Sequence, residues 1–129
     1  MRLIRLLPLA LLIVCSVAPA ALDLSDFDED AMRAVEDAQK ELESGIPSRD
    51  TQIVVANAEF IRDSLQWAQG YFDKRNIADA VKLAHDGSEY AQQIATHASA
   101  NDFDAANEAF GQLKRTCKSC HDAYKPPDI

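Results

Sequence analysis

Apolar residues recur along this chain at helical spacing and nowhere alternate as a strand requires. Val54, Ala58, Ile61, Leu65, Ala68 and Phe72 follow one another in steps of four and three, laying one stripe along a helix. Phe103, Ala106, Phe110, Leu113 and Cys117, then Cys120 or His121 and Tyr124, do the same near the C-terminus. Between Asp23 and Tyr124 no stretch of four or more residues alternates apolar and polar in a convincing strand pattern. The expected fold class is all-α.

Capping chemistry sets the expected ends, because a short polar side chain can accept the orphan N–H groups of a first turn. The first helix is expected from Ser25 or Asp26 to about Ser44, stopped by Gly45 and Pro47. The second starts at Ser48, the third is capped by Asn76 and the fourth by Asn101, with Asp79 and Asp104 each three residues further on. Short links force neighbouring helices to run antiparallel, so the expected architecture is an up-down-up-down four-helix bundle. Gly87 inside the third helix implies either close helix packing or room for a flat ligand or a partner subunit. Phe60, Trp67 and Tyr71 are expected in the core, with a dimer seam as the alternative.

The N-terminus carries Arg2 and Arg5, an apolar run from Leu6 to Val17 and the small-residue site Ala18-Pro19-Ala20. This is the pattern of a secretory signal, too short to span a membrane, and residues 1–20 are expected to be cut away after Ala20 together with Cys15. A lipoprotein reading of Cys15 meets Val14, which is bulkier than such sites want. Removal of 20 of the 129 residues leaves 109, enough for one domain over residues 21–129. Its 11 basic residues, after loss of Arg2 and Arg5 from 13, face 21 acidic ones for a net charge of −10. That excess argues against nucleic acid or an anionic membrane as partner of the mature form. Residues 21–25 read as a loose arm.

Two cysteines remain, in Cys117-Lys118-Ser119-Cys120-His121. A disulfide between them would close too short a loop to constrain the unfolded chain. Structural zinc wants four N or S ligands, and this motif offers three, with His85 and His97 standing apart. Thiol exchange wants Cys-x-x-Cys at a helix start in an α/β fold, whereas this pair lies late in a helix of a strandless chain. Covalent haem fits every element. Cys-x-x-Cys-His is the attachment signature of haem c: Cys117 and Cys120 would form thioethers with the two vinyl groups, and His121 would bind the iron.

The other face of the iron needs its own account. In an antiparallel bundle the start of the first helix lies beside the end of the fourth, which brings Met32 level with His121 at 1.5 Å of rise per residue. His97 falls at the opposite end of the bundle, out of reach, and His85 in mid-helix is less cleanly excluded. A lone helical Met usually serves packing, but at this height Met32 is the expected distal ligand.

With these residues in place, the chain resembles the class II cytochromes c, the family of cytochrome c prime and its low-spin relatives. CKSCHDAYK stands where that family carries its attachment motif, on the last helix of a four-helix bundle. The layout around DEDAMRAVEDAQKEL is also similar to that of the periplasmic four-helix b-type cytochrome. The resemblance implies one haem c per chain, thioether bonds at Cys117 and Cys120, proximal ligation by His121 and a distal position that Met32 fills in the low-spin type. Cytochrome c prime itself has an apolar distal residue and five-coordinate iron. An Arg four residues before the distal position often meets the propionates in that family; here Asp28 stands there, leaving Arg33, Lys114 or Lys125 as substitutes.

The expected function is one-electron carriage in the periplasm between redox proteins, by a monomer or homodimer, with no catalytic turnover. The rival is a five-coordinate protein that binds nitric oxide or carbon monoxide, which requires Met32 to be packing alone. Lys114, Arg115, Lys118 and Lys125 near the attachment motif form either a docking patch for an acidic partner or an ordinary solvated face. Tyr124, one turn beyond Cys120, is expected to cover the haem edge.

Overall fold

The amphipathic segments fold as four helices in the computed structural model, which describes residues 22–124: α1 (Glu29–Ser48), α2 (Thr51–Asp73), α3 (Ala78–Ser99) and α4 (Phe103–Tyr124). The expected signal segment and Lys125 lie outside the described residues. Successive helices run antiparallel, each packed on the next, and α1 closes the bundle against α4 over only a short stretch. The all-α, up-down-up-down bundle is therefore the fold.

One device closes all three turns. Arg49, Asn76 and Asn101 adopt the left-handed conformation, with φ of 56°, 56° and 60°. The next amide reaches back five residues: Asp50 N–H to the Gly45 carbonyl at 3.0 Å, Ile77 to Phe72 at 3.2 Å, and Asp102 to His97 at 2.9 Å. The left-handed residue itself donates to Ile46, Asp73 or Ala98, completing the Schellman pattern. This corrects three expected helix starts, of which Ser48 is instead the last residue of α1. Asn76 and Asn101 end the helices before them rather than starting those after, because Asn suits both an N-cap and a left-handed C′ position. The N-caps are Asp50, accepting from Ile53 N–H at 3.0 Å, and Asp102, accepting from Ala105 N–H at 3.1 Å. Ile77 precedes α3 without a side-chain cap.

The bounds of α1 also differ from expectation. Ser25 and Asp26 lie in a turn closed by Phe27 N–H to the Leu24 carbonyl at 2.9 Å, and the N-cap is Asp28, whose carboxylate accepts from Ala31 N–H at 2.9 Å. At the other end α1 runs through Gly45 and Pro47 to Ser48. Pro47 falls in the last turn, exposed, where its missing N–H costs one backbone bond and does not break the helix. Gly45 serves close packing instead of termination: a Cβ there would stand 3.0 Å from Val54 Cγ2.

Leu42, Val54, Ile61, Ile94 and Leu113 are the largest fully buried side chains, contributed by all four helices. Tyr71 is in the core as expected, but Phe60 and Trp67 are 43% and 45% exposed. They follow Ile53, itself exposed, at seven-residue steps along α2, on a face that no helix among the described residues fully covers.

Candidate haem-binding site

Because α1 and α4 meet so briefly, the bundle is hollow at the end where α1 begins and α4 finishes. The cavity measures about 470 Å³ and takes lining from all four helices. Leu65, Ala68 and Phe72 of α2 and Leu83 and Ala84 of α3 form an apolar back wall. The charged lining residues Glu29, Arg33 and Glu36 all come from α1.

Cys117, Cys120 and His121 line this cavity from α4, and Met32 lines it from α1. Met32 is the fourth residue of α1 and His121 the fourth from the end of α4, so antiparallel packing sets the thioether and the imidazole at one level. His85 is exposed and outside the lining, and His97 lies two residues from the far end of α3.

Cys117 and Cys120 form no disulfide with one another and are half-buried. Burial, with Cys120 close by, pushes the Cys117 thiol up to about 11, and burial followed by the charge of Asp79 raises Cys120. Thiols so placed stay protonated near neutral pH and are poor exchange nucleophiles. Among the described residues no three of His, Cys, Asp and Glu gather as ligands for a bare metal ion. A large apolar cavity holding two thiols, an imidazole and a thioether instead has the donor set and shape for haem c.

A profile of the cytochrome C' family matches residues 20–125. The chain belongs to the cytochrome c′ family. It is thus a c-type cytochrome of a family that carries covalently attached haem c, and Cys117 and Cys120 stand at the attachment motif. Comparison with curated proteins and with solved structures gave no significant match.

Within this family, two features of this chain need a local explanation. Asp28, in the place of the family's frequent Arg, caps α1, which gives the substitution a structural role. Among the expected substitutes, Arg33 lines the cavity and is tied to Asp30 at 2.7 Å and Glu29 at 3.6 Å, whereas Lys114 pairs with Glu43 at 3.7 Å and sits over the Phe110 ring. In the basic patch, Lys118 is paired with Asp122 at 2.5 Å, leaving Arg115 without an ion pair among the described residues. The patch is partly neutralised by its own chain.

Sequence reasoning missed the arm before α1. Leu24, in the arm expected to be loose, and Phe27, expected inside the first helix, both line the cavity, so the chain before α1 is part of its wall. A signal was present: Phe27 precedes the cap Asp28, and Met32 occupies the fourth helical position, the two apolar places of a hydrophobic staple. Tyr124 lines the cavity as its expected cover, with its ring 5.5 Å from that of Phe72. Gly87 lies directly behind the wall, where a Cβ would come within 2.8 Å of Leu65 Cδ1 and 3.5 Å of Thr116 Cγ2. Close packing is thus its evident role, and it bears on two lining residues.

Proposed function

We propose that this cytochrome c′ family member is an exported one-electron carrier, its single haem c held by thioethers to Cys117 and Cys120 and ligated by His121 and Met32. The observation that carries the reading is that Met32 of α1 and His121 of α4 line one largely apolar cavity. When bound, the haem supplies the ferric/ferrous couple. A thioether favours the ferrous state and leaves no position for an exogenous ligand, which suits a rigid carrier. The apolar back wall keeps water away, and the cationic side chains near Cys117 and Cys120, Arg115 above all, offer an approach for an acidic redox partner. Periplasmic placement is supported by the signal-like N-terminus, by the family, and by the finding that no helix among the described residues is long and apolar enough to cross a membrane.

Family membership itself favours a second reading, a five-coordinate site that binds nitric oxide or carbon monoxide, with Met32 as packing only. Visible spectra of the purified holoprotein separate the two. The carrier reading expects low-spin ferric and ferrous forms, slow carbon monoxide uptake, and conversion to high spin in Met32→Ala. A high-spin ferrous parent that takes up carbon monoxide readily, or a spectrum unchanged by Met32→Ala, overturns it.

A further inference from the structure

The segment Leu22–Asp28 makes no backbone hydrogen bond to α2 or α3. Its internal bonds are local: Phe27 N–H to Leu24 and Ser25 N–H to the Asp23 carboxylate at 3.0 Å. What ties it to the bundle converges on two side chains. The Phe27 ring stands 4.8 Å from that of Tyr71, 5.2 Å from Trp67 and 5.6 Å from Phe72. Next to it Asp26 accepts a 2.6 Å hydrogen bond from the Tyr71 hydroxyl and forms an ion pair with Arg75. Arg75 is itself held, its guanidinium 3.6 Å above the Tyr71 ring and donating to the Tyr71 carbonyl at 3.1 Å.

Tyr71 and Arg75 lie beside the end of α2, a part of the bundle with its own small core around Ala68, Phe72, Ala80 and Ala84. Asp26 therefore fastens a piece of chain that lacks secondary structure to a packed element. Phe27 and Leu24, on either side of Asp26, face the cavity. A segment held by so few side-chain interactions opens more readily than the helices around it.

We infer that Leu24–Asp28 is a latched end wall of the haem cavity, and that Asp26 is a positioning residue: by holding Phe27 and Leu24 in place it limits the access of water and small neutral ligands to the iron. The Asp26 carboxylate lies below the usual range, chiefly because it accepts the Tyr71 hydrogen bond and then because of Arg75, so the latch is charged at neutral pH. Asp23 faces the same Arg75 and Tyr71 without replacing the contact. The inference rests on the cavity holding haem.

The test is carbon monoxide association to the ferrous holoprotein, compared in the parent, Asp26→Ala and Tyr71→Phe, each also in a Met32→Ala background that removes the question of the distal ligand. Deuterium exchange over residues 24–31 is read on the same samples. In the Met32→Ala background, where no thioether competes for the iron, Asp26→Ala is expected to speed association about tenfold and Tyr71→Phe about threefold, with faster exchange in both backgrounds confined to the arm and the first turn of α1. If Asp26→Ala fails to fold, Asp26→Asn, which keeps an acceptor for Tyr71 but loses the charge on Arg75, carries the comparison with a smaller rise. Equal association rates in folded, haem-loaded variants overturn the latch, whether or not exchange rises. A negative pyridine haemochrome test would instead overturn the haem reading itself.

Discussion

The two ends of this bundle are built from the same sequence pattern and do different work. Where α1 turns into α2 and α3 into α4, Leu42, Ile46, Val54, Ala58, Ala98 and Phe103 fill the space between helices. At the other end the same helices stand around a 470 Å³ cavity. The stripe of α2 shows the change of duty within one helix: Val54, Ala58 and Ile61 are core, while Leu65, Ala68 and Phe72 continue the stripe as cavity wall. On α4, Phe110 and Leu113 give way to Cys117 and Cys120 in the same manner. One half of each stripe supplies stability and the other a binding surface.

Leu42→Ala should produce the largest effect. Leu42 is fully buried in the core cluster and outside the cavity lining, so its truncation is expected to lower the unfolding free energy by about 3 kcal/mol, read from urea titrations with and without haem. In the haem-free chain, Leu65→Ala should cost about half as much, because Leu65 borders the cavity and has fewer packing partners to lose. Equal losses at the two positions would break the contrast between a packed end and a hollow one.

Gly87→Ala sharpens the same contrast with a smaller effect. Replacing a helical glycine by alanine gains about 1 kcal/mol of helix propensity, and crowding opposes it by about 1–2 kcal/mol. The clash at 2.8 Å is with Leu65 Cδ1, the tip of a flexible side chain that can yield toward the cavity. Stability should therefore change by less than about 1 kcal/mol while the haem absorption bands shift, since Leu65 is a lining residue. A large stability loss with unchanged bands would place the strain in the packed half instead.

The pattern of apolar spacing made the fold legible, since a period of three and four over some twenty residues admits little besides helix, and short links leave little besides an antiparallel bundle. The motif at Cys117, Cys120 and His121 was legible because its spacing is chemistry in itself. The helix ends were less so. Asn76 and Asn101 are equally at home as N-cap or left-handed C′ residue, and only the amides that follow them decide. Phe60 and Trp67 read as core because hydrophobicity states what a side chain can pack against, not whether this chain provides it. The wall made by Leu24 and Phe27 was hidden for a different reason: it depends on contacts between Asp26 and Tyr71, 45 positions apart, that no local pattern encodes.

The smallest predicted effect concerns what holds the hollow end together. Hydrogen bonding to Asp79, followed by burial, pushes Tyr124 up to about 12, and the same bond lowers Asp79. Tyr124 is the last residue of α4 and Asp79 lies in the first turn of α3, so this bond joins two helix ends beside the cavity. Because the folded value of Tyr124 lies above the ordinary 10.0, its contribution is fully present below pH 10 and is lost as pH rises through about 12. Asp79, depressed below its ordinary 3.8, contributes above that value and loses its contribution as pH falls through its folded value. Tyr124→Phe should therefore lower stability slightly across the neutral range, where the contribution is present, flatten the pH dependence at both extremes, and remove one late-ionising tyrosine from the alkaline absorbance titration while Tyr71 remains. An alkaline unfolding profile identical to the parent's would mean that Tyr124 contributes its ring alone, packed at a tilt against Phe72, and that the hollow end is held by packing as the solid end is.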